Sequence, residues 1–394
     1  MSSFAADFRE GVDINLGVGY VNENTIPRAQ IQEALGQVLG QPGKYKSPLN
    51  YGGPRGSPSL IESIRHYHVS RGVGGLTESV LSRKEIIIGP NGATSLLEGL
   101  AHVLRPGIVL TSDPMYYIYC DFLERKGFTV ITIPEHLDGL HADDMEARIE
   151  ELGEHAGNIS FIYVVTVNNP SATIISNKER AGLVRAAVRL SRRLGRIVPL
   201  ILDKAYEDMI HDPAVEKPRS GLLDDEEGVV YEIGTLSKII APSLRIGYIV
   251  FPPELVNRGR EVKWFTDLHN SSVDQLILAR FIAEGHFVRH VHAMKKAHRA
   301  HRRALVDSLR AHFGSAAEVL GSSAGLHLCA RFAGARLTAG LLARIESAGV
   351  KVYPVEEHAI KKGRWRDTLI LGYGMLGPRR MDEGIAILRR CLMA

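Results

Sequence analysis

One lysine stands inside a mostly apolar stretch, TLSKIIAPSLRIGY, in an unusual setting for a solvated amine. Lys238 is flanked by Leu236, Ile239 and Ile240, and Arg245 follows seven residues further on. Burial lowers the pKa of a lysine because it penalises the charged amine. A lysine that is desolvated or close to other cations is a nucleophile that traps carbonyl groups as a Schiff base. The stretch therefore predicts a lysine held for covalent chemistry.

Four further segments place polar or aromatic residues directly after short apolar runs. They are GPNGAT (89–94), DPMYY (113–117), NNPSA (168–172) and DKAY (203–206). In an open parallel sheet, functional groups collect at the carboxyl ends of the strands. We therefore expect these four segments and Lys238 to form one site.

Each of these segments also has a plain structural interpretation. The GPNGAT turn precedes a helical pattern, where backbone N–H groups bind anions, but it equally suits an ordinary turn and helix cap. The Arg245 fork suits phosphate, although such an arginine often forms a surface ion pair. Asp203 ends an apolar run and would need a cationic partner there, unless it caps a turn. Tyr116 either stacks on a flat ring or fills the core.

A single cofactor accounts for all of these groups together. An aldehyde that carries a ring nitrogen and a phosphate would engage the lysine, the aspartate, the tyrosine, the arginine and the turn. Pyridoxal phosphate has this composition, and its ring acts as an electron sink. The set of strand ends therefore predicts a pyridoxal phosphate site.

The elements that must position these groups alternate in type along the chain. Helical patterns such as 93–104 and 177–195 lie between apolar runs. The runs are EIIIGP (85–90), GIVLTSDP (107–114), GFTVITIP (127–134), NISFIYVVTV (158–167), RIVPLILD (196–203), GVVYEIGTLS (228–237) and RIGYIVFP (245–252). This alternation predicts an α/β domain whose mainly parallel sheet is covered by helices on both faces.

The pattern changes after Pro252 and Pro253. Long helical stretches run from about 254 to 315. A mixed region follows, with GLHLCARF (325–332), LTAGLLARIESAG (337–349), VKVYPV (350–355), TLILGYG (368–374) and a final helix from about Arg379. These segments predict a second, smaller α+β domain.

Composition excludes several classes of protein. The 394 residues include 45% hydrophobic and 23% charged residues, with a net charge of +4, which suits anionic small ligands. No run approaches the length of a membrane helix, so no membrane partner is expected. The N-terminus lacks the apolar region of a signal peptide. The three cysteines form no disulfide framework and no metal motif, which predicts a cytoplasmic protein without a metal site.

The densest basic stretch is RHVHAMKKAHRAHRRALVDSLRAHF (289–313), in which apolar residues recur at helical spacing. This spacing favours an amphipathic helix with a solvated basic face. Nucleic-acid binding is the alternative, but no helix-turn-helix, RNA-recognition or zinc-finger pattern supports it. No nucleic-acid partner is therefore expected.

Taken in order, the motifs resemble those of fold-type I pyridoxal-phosphate enzymes of the class I and II aminotransferase group. YGGPRGSPSLIESI (51–64), DPMYYIY, NNPSAT, DKAY and TLSKIIAPSLRIGY are each similar to a block of that family. Ser171 and Ala172 replace its usual Thr-Gly, Thr235 replaces a serine and Ser243 a glycine. The resemblance covers almost the whole chain. It implies a large domain with a mainly parallel, seven-stranded sheet covered by helices, and a smaller α+β domain.

The resemblance also implies roles for individual residues. Lys238 would carry the cofactor as a Schiff base and shuttle a proton at the substrate α-carbon. Asp203 would pair with the pyridinium nitrogen, and Tyr116 would stack on the ring. Tyr206 and Asn169 would bond to the ring O3′, and Asn169 would also face the substrate.

The remaining implied roles concern the phosphate, the partner subunit and the domain bounds. The phosphate would be held by the backbone of Gly92, Ala93 and Thr94 and by Thr235, Ser237 and Arg245. Tyr51 would reach the phosphate of a neighbouring subunit, which implies a homodimer with shared active sites. The segment INLGVGYVNENTIP (14–27) resembles the substrate-pocket lining, which makes Tyr20 a substrate-side candidate. We expect an N-terminal arm at 1–48, a large cofactor domain at 49–255 and a small domain at 256–394.

One position departs from the family pattern. The family usually holds the substrate α-carboxylate with an arginine in a C-terminal strand, and the matching stretch DTLILGYGML (367–376) has Ile370 there. Nearby residues that could replace that arginine are His358, Lys361, Lys362, Arg364, Arg366, Arg379 and Arg380, although each also suits solvated surface charge. The carboxylate clamp is therefore expected to be absent or moved.

These features leave three functions open. The first is an aminotransferase that acts on an amino-acid-like substrate. The second is another pyridoxal reaction of specialised metabolism, such as β- or γ-elimination or replacement, cyclisation or oxidation. The third is a transcriptional regulator that uses this fold as a ligand sensor, which the start of the pocket segment at residue 14 disfavours. We expect the first.

Overall fold

The computed structural model describes residues 13–17, 21, 23–41 and 48–393. Its strands are β1 (Ile14–Asn15), β2 (Glu85–Gly92), β3 (Ile108–Asp113), β4 (Thr129–Pro134), β5 (Ile159–Val165), β6 (Leu200–Asp203), β7 (Val230–Thr235), β8 (Gly247–Phe251), β9 (Ala317–Leu320), β10 (His327–Phe332), β11 (Val350–Lys351), β12 (Tyr353–Pro354) and β13 (Thr368–Gly372). Its α-helices are Arg28–Gly40, Pro58–Ser70, Glu78–Leu81, Ala93–Val103, Tyr117–Arg125, Ala142–Glu151, Asn177–Leu194, Val256–Thr266, Ser272–Ala283, His286–Phe313, Ala339–Ser347 and Pro378–Leu392. The predicted alternation of strands and helices is confirmed.

The large sheet has seven strands in the order β2-β8-β7-β6-β5-β3-β4. Strands β3 to β7 pair in parallel, whereas β8 runs antiparallel to both β2 and β7. Helices cover both faces, so residues of either parity are buried along a strand. In β5, Phe161 and Tyr163 pack into one hydrophobic cluster, and Ile162 and Val164 pack into the other. The predicted fold class, with its mainly parallel seven-stranded sheet, is confirmed.

The helix Asn177–Leu194 shows how local sequence sets an element's bounds. The Ser176 hydroxyl accepts a hydrogen bond from the Glu179 backbone N–H at 3.2 Å and caps the first turn. Gly195 ends the helix with a left-handed φ of 61°, a conformation that glycine adopts without a steric cost. The predicted run 196–203 yields only the four residues of β6, because Pro199 has no N–H to donate to a ladder.

A second, four-stranded sheet has the antiparallel order β12-β13-β10-β9. It shares a hydrophobic cluster with the helices His286–Phe313 and Pro378–Leu392. Ile14 and Leu16 pack into the same cluster, and β1 pairs in parallel with β11. The N-terminal strand therefore contacts the C-terminal part of the chain. Within the described residues, no helix has both the length and the apolar character that crossing a membrane requires.

Candidate active site

The predicted site residues meet at one edge of the large sheet. Strands β2, β6 and β7 end there, at Gly92, Asp203 and Thr235. Because β8 runs antiparallel, its beginning lies at the same edge, and the Gly92 N–H donates to the Arg245 carbonyl at 2.9 Å. Arg245 precedes β8 with a left-handed φ of 52°. The reversal of one strand thus brings Arg245 beside Gly92.

Gly92 lies at the centre of a polar cradle. A β-carbon at this position would lie 3.0 Å from Ser237 Oγ, 3.4 Å from Thr235 Oγ1 and 3.6 Å from Arg245 Nη2. The buried Ser237 Oγ has no hydrogen-bond partner among the described residues. Ala93 opens the helix Ala93–Val103, so its first N–H groups point toward the same space. Hydroxyl, guanidinium and helix N-terminus together fit a phosphate group.

The guanidinium of Arg245 is already held in place by its neighbours. Its Nε donates to Asn91 Oδ1 at 2.7 Å, its Nη2 to the Asn91 carbonyl at 2.9 Å and its Nη1 to the Pro242 carbonyl at 3.1 Å. These bonds fix the plane of the fork, which reduces the entropy lost when an anion binds. Asn91 is a positioning residue that the sequence interpretation did not single out.

Asp203 is buried at the end of β6, with a relative exposure of 5%. Its carboxylate accepts hydrogen bonds from the Ala205 N–H at 3.0 Å and from the Tyr163 hydroxyl at 3.1 Å. Burial raises its pKa to about 6, which these two bonds oppose and the charge of Glu207 reinforces. A protonated ring nitrogen would stabilise the ionised carboxylate, so Asp203 fits a pyridinium partner.

Lys238 follows β7 and is partly buried. Burial lowers the pKa of its amine, and the positive charge of Arg245 lowers it further. Both effects increase the neutral fraction, which is the form that attacks a carbonyl and removes a proton. The structure thus gives Lys238 the environment that its apolar flanks predicted.

Three further predicted residues surround this edge. Burial raises the pKa of Tyr116, the nearby Asp203 charge raises it further, and a hydrogen bond with Thr94 lowers it. Tyr206 is buried, and burial together with Asp203 raises its pKa. Both phenols therefore stay protonated and can donate hydrogen bonds. The buried Oδ1 of Asn169 has no partner within the described part of the chain, as expected of a group that awaits a ligand.

Two predicted residues remain, Tyr51, which is exposed, and Tyr20, which lies outside the described residues. Tyr51 is 81% exposed, and its ring meets His269 edge-on at 5.4 Å. Tyr20 lies outside the described residues, so its substrate-side role stays a prediction.

Ile370 is fully buried in β13 and faces an apolar cluster. It pairs across the sheet with Cys329 and Tyr353, and Trp365 packs beside it. The Cys329 thiol donates to the Pro170 carbonyl at 3.1 Å, so this face of the small sheet looks toward the loop that carries Asn169. An apolar wall therefore stands where the sequence comparison expected a guanidinium.

Several of the cations proposed to replace that guanidinium have partners on the surface. Arg379 and Arg380 pair with Glu383, at 3.2 and 3.0 Å. The Lys362 amine donates to the Glu356 and Ala359 carbonyls at 2.8 and 2.6 Å. Three remaining candidates, Lys361, Arg364 and Arg366, are exposed.

Sequence analysis missed a buried carboxylate beneath the loop that carries Asn169. Glu135, which is 1% exposed, accepts hydrogen bonds from Thr173 Oγ1 and, at 2.9 Å, from Asn168 Nδ2. Asn168 Nδ2 also lies 2.9 Å from the Pro114 carbonyl, which ties together the loops after β3 and β5. An acid directly after β4, in PEHLDG, was the available signal.

Tyr163, the hydroxyl donor to Asp203, was also missed. In β5 it lies two residues before Val165, which pairs with Asp203 in β6. Side chains two apart in a strand share a face. Its phenol within an apolar run was the available signal.

Comparisons with known proteins bear on the family and the fold of the chain. A model of the family "Aminotransferase class I and II" matches residues 12–367. The structure of the Pyrococcus horikoshii kynurenine aminotransferase aligns with a TM-score of 0.87 at 22% identity, over 100% of this chain and 96% of that one. This likeness shows the fold alone.

Curated relatives fall into two kinds. An uncharacterized HTH-type transcriptional regulator of Bacillus subtilis, YdfD, is 26% identical over 300 residues, which are 76% of this chain. The match spans only 58% of the length of that regulator. Aromatic-amino-acid aminotransferase 1 of Thermococcus litoralis is 22% identical over 375 residues, which are 94% of this chain and 86% of that protein.

Proposed function

Because the chain belongs to the aminotransferase class I and II family, whose members use pyridoxal phosphate, we propose that it transaminates an amino-acid-like substrate. The observation that carries this proposal is the convergence of Lys238, Asp203 and the Gly92 cradle at one sheet edge. When bound, the cofactor supplies an electron sink that stabilises negative charge at the substrate α-carbon. The protein's residues bind, orient and move protons around it.

The proposed roles in cofactor binding concern the phosphate and the ring nitrogen. Ser237, Thr235 and Arg245 hold the phosphate, together with the backbone of Gly92 and the first turn of its helix. Asp203 keeps the ring nitrogen protonated, since an ionised carboxylate buried at this depth requires a cation.

The ring is held by three further side chains. Tyr116 would stack on the ring, and Tyr206 and Asn169 would form hydrogen bonds with the ring oxygen. Tyr206 stays protonated because burial raises its pKa, so it donates. Asn169 Oδ1, which has no partner among the described residues, would also bond to the substrate.

Lys238 carries the cofactor and transfers the proton at the substrate α-carbon. Its lowered pKa leaves a larger neutral fraction of the amine near neutral pH than a solvated lysine has. A general base works best when its pKa lies near the operating pH. Burial and Arg245 therefore serve both the covalent and the proton-transfer roles.

We further propose that the protein works as a homodimer with shared active sites. Tyr51 is 81% exposed, and Phe265 and Trp264 are 80% and 58% exposed on the helix Val256–Thr266. Large aromatic side chains seldom stay exposed together on a monomer. A second copy of the chain would cover them and bring its Tyr51 to the neighbouring phosphate.

A ligand-sensing role is the second candidate. The similarity to YdfD extends over 76% of this chain, and the match lies within a longer regulator. In that role the same residues would bind cofactor and an effector with little or no turnover. Multiple turnovers with an amino donor and a keto acid would separate an enzyme from a sensor.

A spectral screen of the purified protein tests the proposed function. Amino acids added without a keto acid should convert the bound cofactor to its amino form, with products identified by mass spectrometry. Lys238→Ala should lose the covalent attachment, whereas Lys178→Ala, at a lysine whose side chain is 88% exposed, should keep it. Release of a leaving group, or consumption of oxygen, would instead favour a non-transaminating reaction. A wild-type protein that never binds pyridoxal phosphate would refute the proposal.

A further inference from the structure

A buried histidine faces the loop that carries Asn169. His327 opens β10 and is 2% exposed. Its Nε2 lies 2.9 Å from the Pro170 carbonyl oxygen, to which Cys329 also donates. The charge of Lys238 contributes to lowering the pKa of His327, so the imidazole lies within electrostatic range of that amine.

The protonation state of His327 follows from these contacts. A carbonyl oxygen can only accept, so the proton of the imidazole lies on Nε2. Burial lowers the pKa of His327 to about 4, so the ring is neutral near neutral pH. Its Nδ1 is therefore a lone-pair acceptor, and within the described chain that atom has no partner. An unused acceptor at this depth is costly unless a ligand supplies a donor.

A second buried imidazole lies beside the loop that carries Tyr116. His358 has a buried Nδ1 without a partner among the described residues, and burial lowers its pKa to about 4, with His327 contributing. Its ring meets Tyr117 edge-on at 5.0 Å. Its carbonyl accepts a hydrogen bond from the Met115 N–H at 3.3 Å, next to Tyr116.

The surroundings of His327 are partly apolar and partly backbone. Ile370 lies opposite Cys329 in the sheet, and Gly372 lies opposite His327, where the backbone of Gly17 fills the space that a side chain would take. The Lys362 amine, whose charge contributes to lowering the pKa of His358, is engaged by the Glu356 and Ala359 carbonyls. Lys238, the other cation that acts on His327, is committed to the cofactor in the proposed function. A carboxylate buried here would then meet mainly lone pairs and hydrocarbon, which is costly.

We propose that His327 and His358 form an imidazole subsite that accepts a hydrogen bond from the substrate. The group that reaches it is a donor, such as a hydroxyl, an amide N–H or an ammonium group, and a second carboxylate is disfavoured. This subsite rests on the proposed function, because it defines the side of the cofactor site that selects the substrate.

Matched pairs of amino acids test the preference. Phenylalanine and tyrosine, norleucine and lysine, and glutamate and glutamine each differ in one group, and the second member of each pair has the donor. The α-methyl forms of these amino acids lack the α-proton, so they report binding alone through the absorbance of the bound cofactor. In the wild-type protein we expect the donor member of at least one pair to bind about tenfold more tightly, as one hydrogen bond allows.

Two substitutions of His327 separate the acceptor from the structural tie. His327→Gln places an amide N–H near the position of Nε2, so it retains the bond to Pro170 and removes the Nδ1 acceptor. His327→Asn places an oxygen near the position of Nδ1 and gives up that bond. We expect the preference to vanish in the glutamine variant and to persist in the asparagine variant. Cofactor binding should be unchanged in the glutamine variant.

The opposite pattern would overturn the proposal. If the glutamine variant keeps the preference and the asparagine variant loses it, His327 only fastens β10 to Pro170. Equal binding of both members of every pair to the wild type, alongside normal turnover, would refute the subsite and leave the proposed function intact. Selective binding of the donor analogues without turnover of any amino acid would support the subsite and contradict the transaminase assignment.

Discussion

Replacing Asp203 by asparagine should stabilise the cofactor-free protein and weaken the cofactor-loaded one. The carboxylate is 5% exposed and receives two hydrogen bonds, from Ala205 and Tyr163. These bonds do not fully offset the cost of removing the charged carboxylate from water, since its pKa still rises from 3.8 to about 6. Asparagine keeps an oxygen for Ala205, and its amide can donate to Tyr163, so the change removes mainly the charge.

The sign of the effect follows from proton linkage. Since the pKa is higher in the folded than in the unfolded chain, the folded chain binds the proton more tightly. The stability that this proton confers is present below pH 3.8 and is lost as the pH rises through about 6. A rise from 3.8 to about 6 corresponds to about 3 kcal/mol, since each tenfold change in proton affinity is worth about 1.4 kcal/mol.

Urea denaturation of the cofactor-free proteins measures this difference. At about pH 8, Asp203→Asn should raise the free energy of unfolding by up to about 3 kcal/mol, and at about pH 4.5 by distinctly less. Asp121→Asn, at an exposed position in the helix Tyr117–Arg125, is the matched control and should show little change at either pH. With pyridoxal phosphate bound, the Asp203 variant should lose affinity for the cofactor.

Two results would refute this reasoning. A variant that is equally destabilised at both pH values would mean that the carboxylate is needed for its hydrogen bonds rather than being costly as a charge. Unchanged cofactor affinity would mean that Asp203 does not meet the ring nitrogen.

Three further predictions follow from the same geometry. Gly92→Ala should weaken cofactor binding at least about tenfold in equilibrium dialysis, because the new methyl group enters the phosphate cradle at a positive φ. The control Gly99→Ala, which has open space around it, should bind the cofactor as the wild type does. Glu135→Gln should lower the free energy of unfolding by about 1–3 kcal/mol, because one buried oxygen acceptor becomes a donor. If Glu135 also positions the loop that carries Asn169, this variant should lose more cofactor affinity than a core variant of equal instability. Equal losses of affinity would contradict that role. Phe265→Asp should shift the protein from dimer to monomer in analytical ultracentrifugation, and an unchanged dimer would contradict the proposed interface.

The cofactor site could be inferred from sequence because its chemistry is carried by strand ends. Five polar segments after apolar runs share one edge in a parallel sheet, so periodicity and order sufficed to group Lys238, Asp203 and Tyr116. The sequence also shows the residues that cap the helices and the alternation of apolar runs with helical patterns, which together define the strands and helices. Local patterns of this kind depend on neighbours along the chain, which the sequence displays directly.

Other features required the tertiary structure, because they depend on neighbours distant in sequence. The antiparallel course of β8 brings Arg245 to Gly92, 153 positions away in the chain. The pairing of Ile370 with Cys329 across the sheet creates the apolar wall, and the contact between His327 and Pro170 determines which imidazole nitrogen is left without a partner. The sequence by itself determined the class of cofactor and predicted the residues that we propose engage it. Only the packing of the small sheet against the Asn169 loop decided which buried acceptors of the described residues lack a partner there, since hydrogen-bond satisfaction is a property of the folded chain.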